Sequence, residues 1–175
     1  KNWLFLVSSV KSIIVISNTS ISNQNDSDDA LILVDSGSIF LNFTNFVKCQ
    51  GPILKANDAN IRINSSNFIN NIQDKYFLIT DISISSILNY NDSISIISFN
   101  SNFTISKGLS TMIRLYYGIH YQNCIFIGDK EFENQAIRII ETPYVRILNS
   151  FFFSFFQLEE KGGALSNIFQ DFNGN

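Results

Sequence analysis

At 175 residues with a net charge of −3 and a sequence pI near 5.0, the chain offers no basic stripe, so nucleic acid is not an expected partner. No uninterrupted apolar run approaches the roughly 20 residues needed to cross a bilayer as a helix. Hydrophobic residues make up 45% and charged residues 15%, enough for a continuous core beneath a thinly charged surface.

Taken in chain order, the opening Lys1-Asn2-Trp3-Leu4-Phe5-Leu6-Val7 predicts a strand, because it lacks an initiator Met and its apolar stretch is too short for a signal peptide. There follows an element of one form: an apolar pair with one residue between, four residues of mostly Asn, Ser or Thr, then a large apolar residue. It occurs as Ile14-x-Ile16 before Ile21, Ile39-x-Leu41 before Phe46, Ile61-x-Ile63 before Phe68 and, less cleanly, Ile96-x-Ser98 before Phe103. Ile119-x-Tyr121 before Phe126 and Val145-x-Ile147 before Phe152 complete the set. The closing residues lie 25, 22, 35, 23 and 26 apart, and self-similarity at such a period marks a solenoid. Further apolar runs stand at 30–34, 52–56, 76–80, 111–115, 136–140 and 164–166. Each repeat therefore predicts at least two short strands joined by bends, with no sustained helical period.

Ile (28), Ser (23), Asn (22) and Phe (17) dominate the composition; Ile and Phe suit a pleated, half-buried strand, whereas Asn and Ser suit turns. Strand, turn, strand, turn, wound in register, pairs each strand in parallel with its copy about 4.8 Å above. The expected fold is all-β, a right-handed parallel β-helix of about six to seven coils of roughly 22–26 residues. The 35-residue interval places one insertion near 82–93. Right-handed winding follows from the handedness of parallel crossovers. Stacking puts Ile21, Phe46, Phe68, Phe103, Phe126 and Phe152 in one inward column. Asn45, Asn67 and Asn102, just before that column, and Asn18, Asn42, Asn64, Asn100, Asn123 and Asn149, three or four positions before it, fall where the chain must bend. Asn tolerates left-handed geometry, so stacked Asn columns are expected there. Residues 1–175 are read as a single β-helix segment of a longer chain, since a new turn begins at Gly162-Gly163-Ala164-Leu165.

With Ile-x-Ile, Asn/Ser-x-Phe and Gly162-Gly163-Ala164-Leu165 in view, the chain resembles the pectin-lyase-like right-handed β-helix group. Within it, the repeats are most similar in style to those of polymorphic outer-membrane proteins. Asn149-Ser150-Phe151-Phe152 followed by Gly162-Gly163-Ala164-Leu165 matches best, with Asn64-Ser65-Ser66-Asn67-Phe68-Ile69-Asn70-Asn71 second; the resemblance spans about 14 to 166. It implies the fold, and a choice among polysaccharide-cleaving enzymes, adhesins and surface proteins.

Candidate chemistry is sparse. Acids are scattered, Asp28-Asp29 being the one adjacent Asp pair, so no catalytic residue is assigned. His120, between Ile119 and Tyr121, is expected to point outward into solvent. Arg62, Arg114, Arg138 and Arg146 alternate with apolar residues; if Arg114, Arg138 and Arg146 share a face they could bind carboxylates or pair with Glu141, although a solvated outer face explains them more simply. Asp26, Asp28 and Asp29 form no recognised calcium loop, and neither metal nor other cofactor is expected. Cys49 and Cys124 lie about three coils apart, beyond disulfide reach. Six Asn-x-Ser/Thr sequons, at Asn18, Asn25, Asn42, Asn64, Asn91 and Asn102, would accept N-linked glycans in a secretory setting.

The expected function is thus a non-enzymatic extracellular or cell-surface module, a glycosylated β-helical rod that displays or assembles, with end-to-end association of copies or continuation of the same chain. The alternatives are a polysaccharide lyase or hydrolase domain, and an adhesin or glycan-binding module.

Overall fold

The structure is a computed structural model that describes residues 5–7, 12–24, 30–49, 53–57, 59–81, 95–114, 118–129, 134–140, 142, 144–155 and 164–168. Seventeen strands and no helix occur among them. After β1 (Phe5–Val7), a first lap contains β2 (Ile13–Ser17), β3 (Ser20–Ser22) and β4 (Ile32–Val34). The next lap contains β5 (Gly37–Asn42), β6 (Asn45–Val47) and β7 (Leu54–Asn57), followed by β8 (Ala59–Asn64) and the long β9 (Asn67–Asp81). Then come β10 (Ser95–Phe99) and β11 (Asn102–Arg114); β12 (Gly118–Gln122), β13 (Ile125–Ile127) and β14 (Asn134–Ile140); and β15 (Tyr144–Leu148), β16 (Phe151–Phe153) and β17 (Leu165–Ile168).

Every pairing among these strands is parallel. One wall is a six-stranded sheet in the order β15-β12-β10-β8-β5-β2. A second, eleven-stranded sheet forms the rest, because β9 and β11 run on through the bend that separates the shorter strands of other laps. Register shifts between Phe103 and Leu109 mark where β11 turns against β9. The chain is an all-β parallel solenoid. About three turns are traced nearly without a break, fewer than the six to seven coils the repeats predict, because the other laps cross residues outside the described set. The insertion near 82–93 also lies outside the described residues.

Alternation along the first wall decides what is inside. In β5, β8 and β12, the residues Ile39 and Leu41, Ile61 and Ile63, and Ile119 and Tyr121 are all buried while their neighbours face out. Register stacks Ile14, Ile39, Ile61, Ile96, Ile119 and Val145 in one inward column and Ile16, Leu41, Ile63, Ser98, Tyr121 and Ile147 in the next. No lap could hide these side chains alone; stacking removes their apolar area from water at about 25 cal/mol per Å².

Across the bend, Ile21 lies in register with Phe46, which stacks on Phe68 with ring centroids 5.1 Å apart. Phe68 stacks on Phe103 at 5.0 Å, Phe103 on Phe126 at 4.7 Å and Phe126 on Phe152 at 4.8 Å, every ring pair within 8° of parallel. The lap-to-lap strand spacing sets that separation, and each aromatic pair adds about 0.5–1.5 kcal/mol beyond area burial. Ser98 breaks the aliphatic column for a packing reason. It stands in register beneath Tyr121, whose ring meets Phe103 and Phe126 edge-on at 6.2 and 5.4 Å.

Candidate functional site

The polar side chains that recur once per lap gather at the bend between the two sheets. The first bend residue is in the left-handed region in successive laps: Asn18 (φ 53°), Phe43 (51°), Ser65 (47°), Asn100 (50°), Asn123 (53°) and Asn149 (48°). This geometry turns the backbone so that the N–H of Asn18 donates to the carbonyl of Asn42, and those of Phe43, Ser65, Asn100 and Asn123 donate to Asn64, Phe99, Gln122 and Leu148, each at 3.0 Å. Asn adopts it at lower cost than other side-chain-bearing residues. The Asn residues three or four positions before the ring column therefore divide. Asn18, Asn100, Asn123 and Asn149 occupy the bend itself, whereas Asn42 and Asn64 end the preceding strands.

The second bend residue carries a hydroxyl or thiol and is folded inward. Thr44, Ser66, Ser101 and Cys124 are wholly buried. The Thr44 hydroxyl donates to the carbonyl of Ile16 in the lap below at 3.1 Å, and that of Ser66 to Leu41 at 3.4 Å. In return, the backbone N–H of Thr44 donates to the Ser66 Oγ, that of Ser66 to the Ser101 Oγ, and that of Cys124 to the Ser150 Oγ. Backbone groups that the bend removes from the sheet ladder are thereby satisfied.

The third bend position forms an amide ladder. Asn67 Nδ2 donates to Asn45 Oδ1 and Asn102 Nδ2 to Asn67 Oδ1, both at 2.8 Å. At the first bend position a single such bond runs from Asn123 Nδ2 to Asn100 Oδ1 at 3.1 Å. The three columns give the sequons a structural reading. In Asn42-Phe43-Thr44 and Asn64-Ser65-Ser66 the hydroxyl residue is a buried column member, and in Asn102-Phe103-Thr104 the acceptor amide is a rung. Asn18 is exposed, as is Ser20 of the same sequon. Asn25 and Asn91 lie outside the described residues. The hydroxyl column is masked in the sequence because Asn-x-Ser/Thr at a bend spells the same letters as a sequon; the lap-period spacing of the hydroxyls is the signal that marks it.

The arginines do not converge as one cluster. Arg62 and Arg146 belong to the six-stranded wall, whereas Arg114 and Arg138 lie on β11 and β14 of the other sheet, an outcome set by which strand each occupies. On the six-stranded wall the outward column reads Val15, Phe40, Arg62, Ile97, His120, Arg146. The Arg62 guanidinium lies 5.8 Å from the Phe40 ring centroid. His120 points outward but is half-buried rather than solvated. Its ring meets Phe99 edge-on at 5.4 Å, and its enclosed Nε2 has no hydrogen-bond partner among the described residues. Glu141, Asp26, Asp28 and Asp29 lie outside the described residues.

Among the described residues, no group of three or more His, Cys, Asp or Glu could hold a metal ion. No disulfide joins Cys49 and Cys124, both buried. Cys124 Sγ sits 3.5 Å from both the Ser98 carbonyl and the Ser98 Oγ. Burial pushes the Cys49 thiol above its ordinary pKa, opposed by backbone hydrogen bonds from its surroundings. No helix of the described chain is long and apolar enough to cross a membrane. No protein-family model, curated protein or solved structure matches the chain.

Proposed function

We propose that this chain is a non-enzymatic structural module of an extracellular or cell-surface protein, a rod of six to seven right-handed coils that spaces, displays or assembles. One observation carries the reading: the side chains that recur at the bends are spent on tying each lap to the next. Thr44, Ser66, Asn67 and Asn102 all bond across laps. A stack built this way is extended by adding laps, so end-to-end association of copies, or continuation of the same coil, belongs to the proposal. So does the likeness to pectin-lyase-like and polymorphic outer-membrane-protein repeats.

The test is labelling of intact source cells with a membrane-impermeant reagent, together with electron microscopy of the purified full-length protein. Surface labelling and an elongated particle are expected. Cytosolic retention, or cleavage of a polysaccharide panel by the purified protein, would overturn the reading. An adhesin or glycan-binding role is the second reading. It is favoured by the outward face of the six-stranded wall, where Phe40, Arg62, Phe99, His120 and Arg146 place aromatic and cationic groups side by side.

A further inference from the structure

Among the left-handed bend residues, Phe43 is anomalous. Asn18, Ser65, Asn100, Asn123 and Asn149, all small and polar, hold the equivalent place in other laps, and a bulky side chain is disfavoured in that region. Phe43 also leaves 56% of its surface exposed, so the strain is not repaid by core burial. Its neighbour one lap below at the same bend is Asn18, exposed and in the same conformation. The two positions are joined through the Asn18 N–H to Asn42 carbonyl bond at 3.0 Å, so their backbones stand about one strand spacing, roughly 4.8 Å, apart.

From this juxtaposition we propose that Asn18 carries an N-linked glycan whose first sugar lies against the Phe43 ring. The inference rests on the extracellular reading above. Asn18 heads the sequon Asn18-Thr19-Ser20, and Phe43, next in its bend column, offers no amide to engage its side chain. In the transfer, Asn18 Nδ2 forms a bond to C1 of N-acetylglucosamine. The bond from C1 to the pyrophosphate of a lipid-linked oligosaccharide breaks, and the amide proton leaves with the lipid pyrophosphate. The apolar C–H face of the pyranose then covers an aromatic surface otherwise in water. Asn102 is the converse case. Its Nδ2 donates at 2.8 Å within the amide ladder and its side chain is half-buried; a sugar on that nitrogen keeps one N–H but has to fit beside the rung at the packed bend, so a folded molecule carries none there. Asn42 and Asn64 are half-buried in consecutive laps in direct register, leaving too little room for a branched glycan on each.

The experiment secretes the chain from a eukaryotic host and maps site occupancy by peptide mass. Occupancy at Asn18 with Asn102 bare is expected; a bare Asn18, or a glycan on Asn102 in secreted folded protein, overturns the proposal. Melting temperatures are then compared for the parent, Ser20→Ala, Phe43→Asn and the double variant. Ser20→Ala abolishes the sequon without touching the bend. It is expected to lower the parent's melting temperature by about 2–4 °C and to leave the Phe43→Asn background unshifted. Equal shifts in both backgrounds sink the sugar–ring contact, and so does a shift of the same size in protein made by a bacterial host lacking the transferase. Native-source protein bare at every sequon would instead overturn the extracellular reading, while the recombinant occupancy still judges the site.

Discussion

Tyr121 lies in register directly above Ser98, and both are wholly buried; the small side chain of one lap makes room for the phenol of the next. The equivalent position in other laps is Ile16, Leu41, Ile63 or Ile147, so the pair exchanges two medium side chains for one small and one large. Ser98→Ile is expected to overpack the lumen and cost about 1–3 kcal/mol. Tyr121→Ile alone leaves a cavity. The double variant restores the aliphatic column and is expected to be more stable than the sum of the single effects by at least 0.5 kcal/mol. Urea denaturation of the four proteins measures that coupling, and strict additivity would show that the two side chains do not share space.

The ring column carries a gradient along its length. Phe68 is sandwiched between Phe46 and Phe103, whereas Phe152 stacks on Phe126 and is only partly buried. Phe68→Ala is expected to cost about 3–5 kcal/mol, and Phe152→Ala clearly less. Denaturation midpoints compare them directly; a larger loss at Phe152 would mean that the column is not the principal brace.

Much of this architecture is readable from spacing, because a lap-length period in large apolar residues leaves a stack of parallel strands as the way to bury them all. That Phe46, Phe68, Phe103 and Phe126 share a column needs no more than their positions in the repeat. Where a repeat departs from the pattern, spacing misleads. Ser98 looks like decay until Tyr121 is placed above it, and Phe43 hides because its bend is otherwise served by Asn or Ser. Arg138 and Arg146 are close in sequence yet belong to different sheets, since a bend intervenes that composition does not locate. The candidate site is less legible still. A sequon is a statement about three letters, whereas burial of Thr44 and Ser66 and the engagement of Asn102 are properties of the stack.

The amide ladder makes Asn67 a two-sided rung: it donates to Asn45 and accepts from Asn102. Asn67→Ala removes both bonds and leaves the facing Oδ1 of Asn45 and Nδ2 of Asn102 without that partner at a half-buried bend. A loss of about 1–3 kcal/mol is expected. Asn67→Asp keeps an acceptor for Asn102 but loses the donor to Asn45 and sets oxygen against oxygen, so its cost is expected to grow as pH rises through the carboxylate range. Stability against urea at pH 3 and pH 7 checks this, and a pH-independent cost would argue that the two oxygens are not in contact.

Burial raises the Cys49 thiol above its usual pKa, and the sign of the linkage follows from proton counts. Between the unfolded pKa, about 8.5, and the higher folded one, the native protein holds a proton that the unfolded chain has released. Stability contributed by the neutral, buried thiol is therefore complete below that range and is lost as pH climbs through it. The parent is expected to lose stability between neutral pH and pH 10 more steeply than Cys49→Ala, once each is referred to its own value at pH 7. Alkylation of Cys49 should likewise require a higher pH than that of a small-molecule thiol. Parallel pH–stability curves for the two proteins would show that the thiol's ionisation is not coupled to folding.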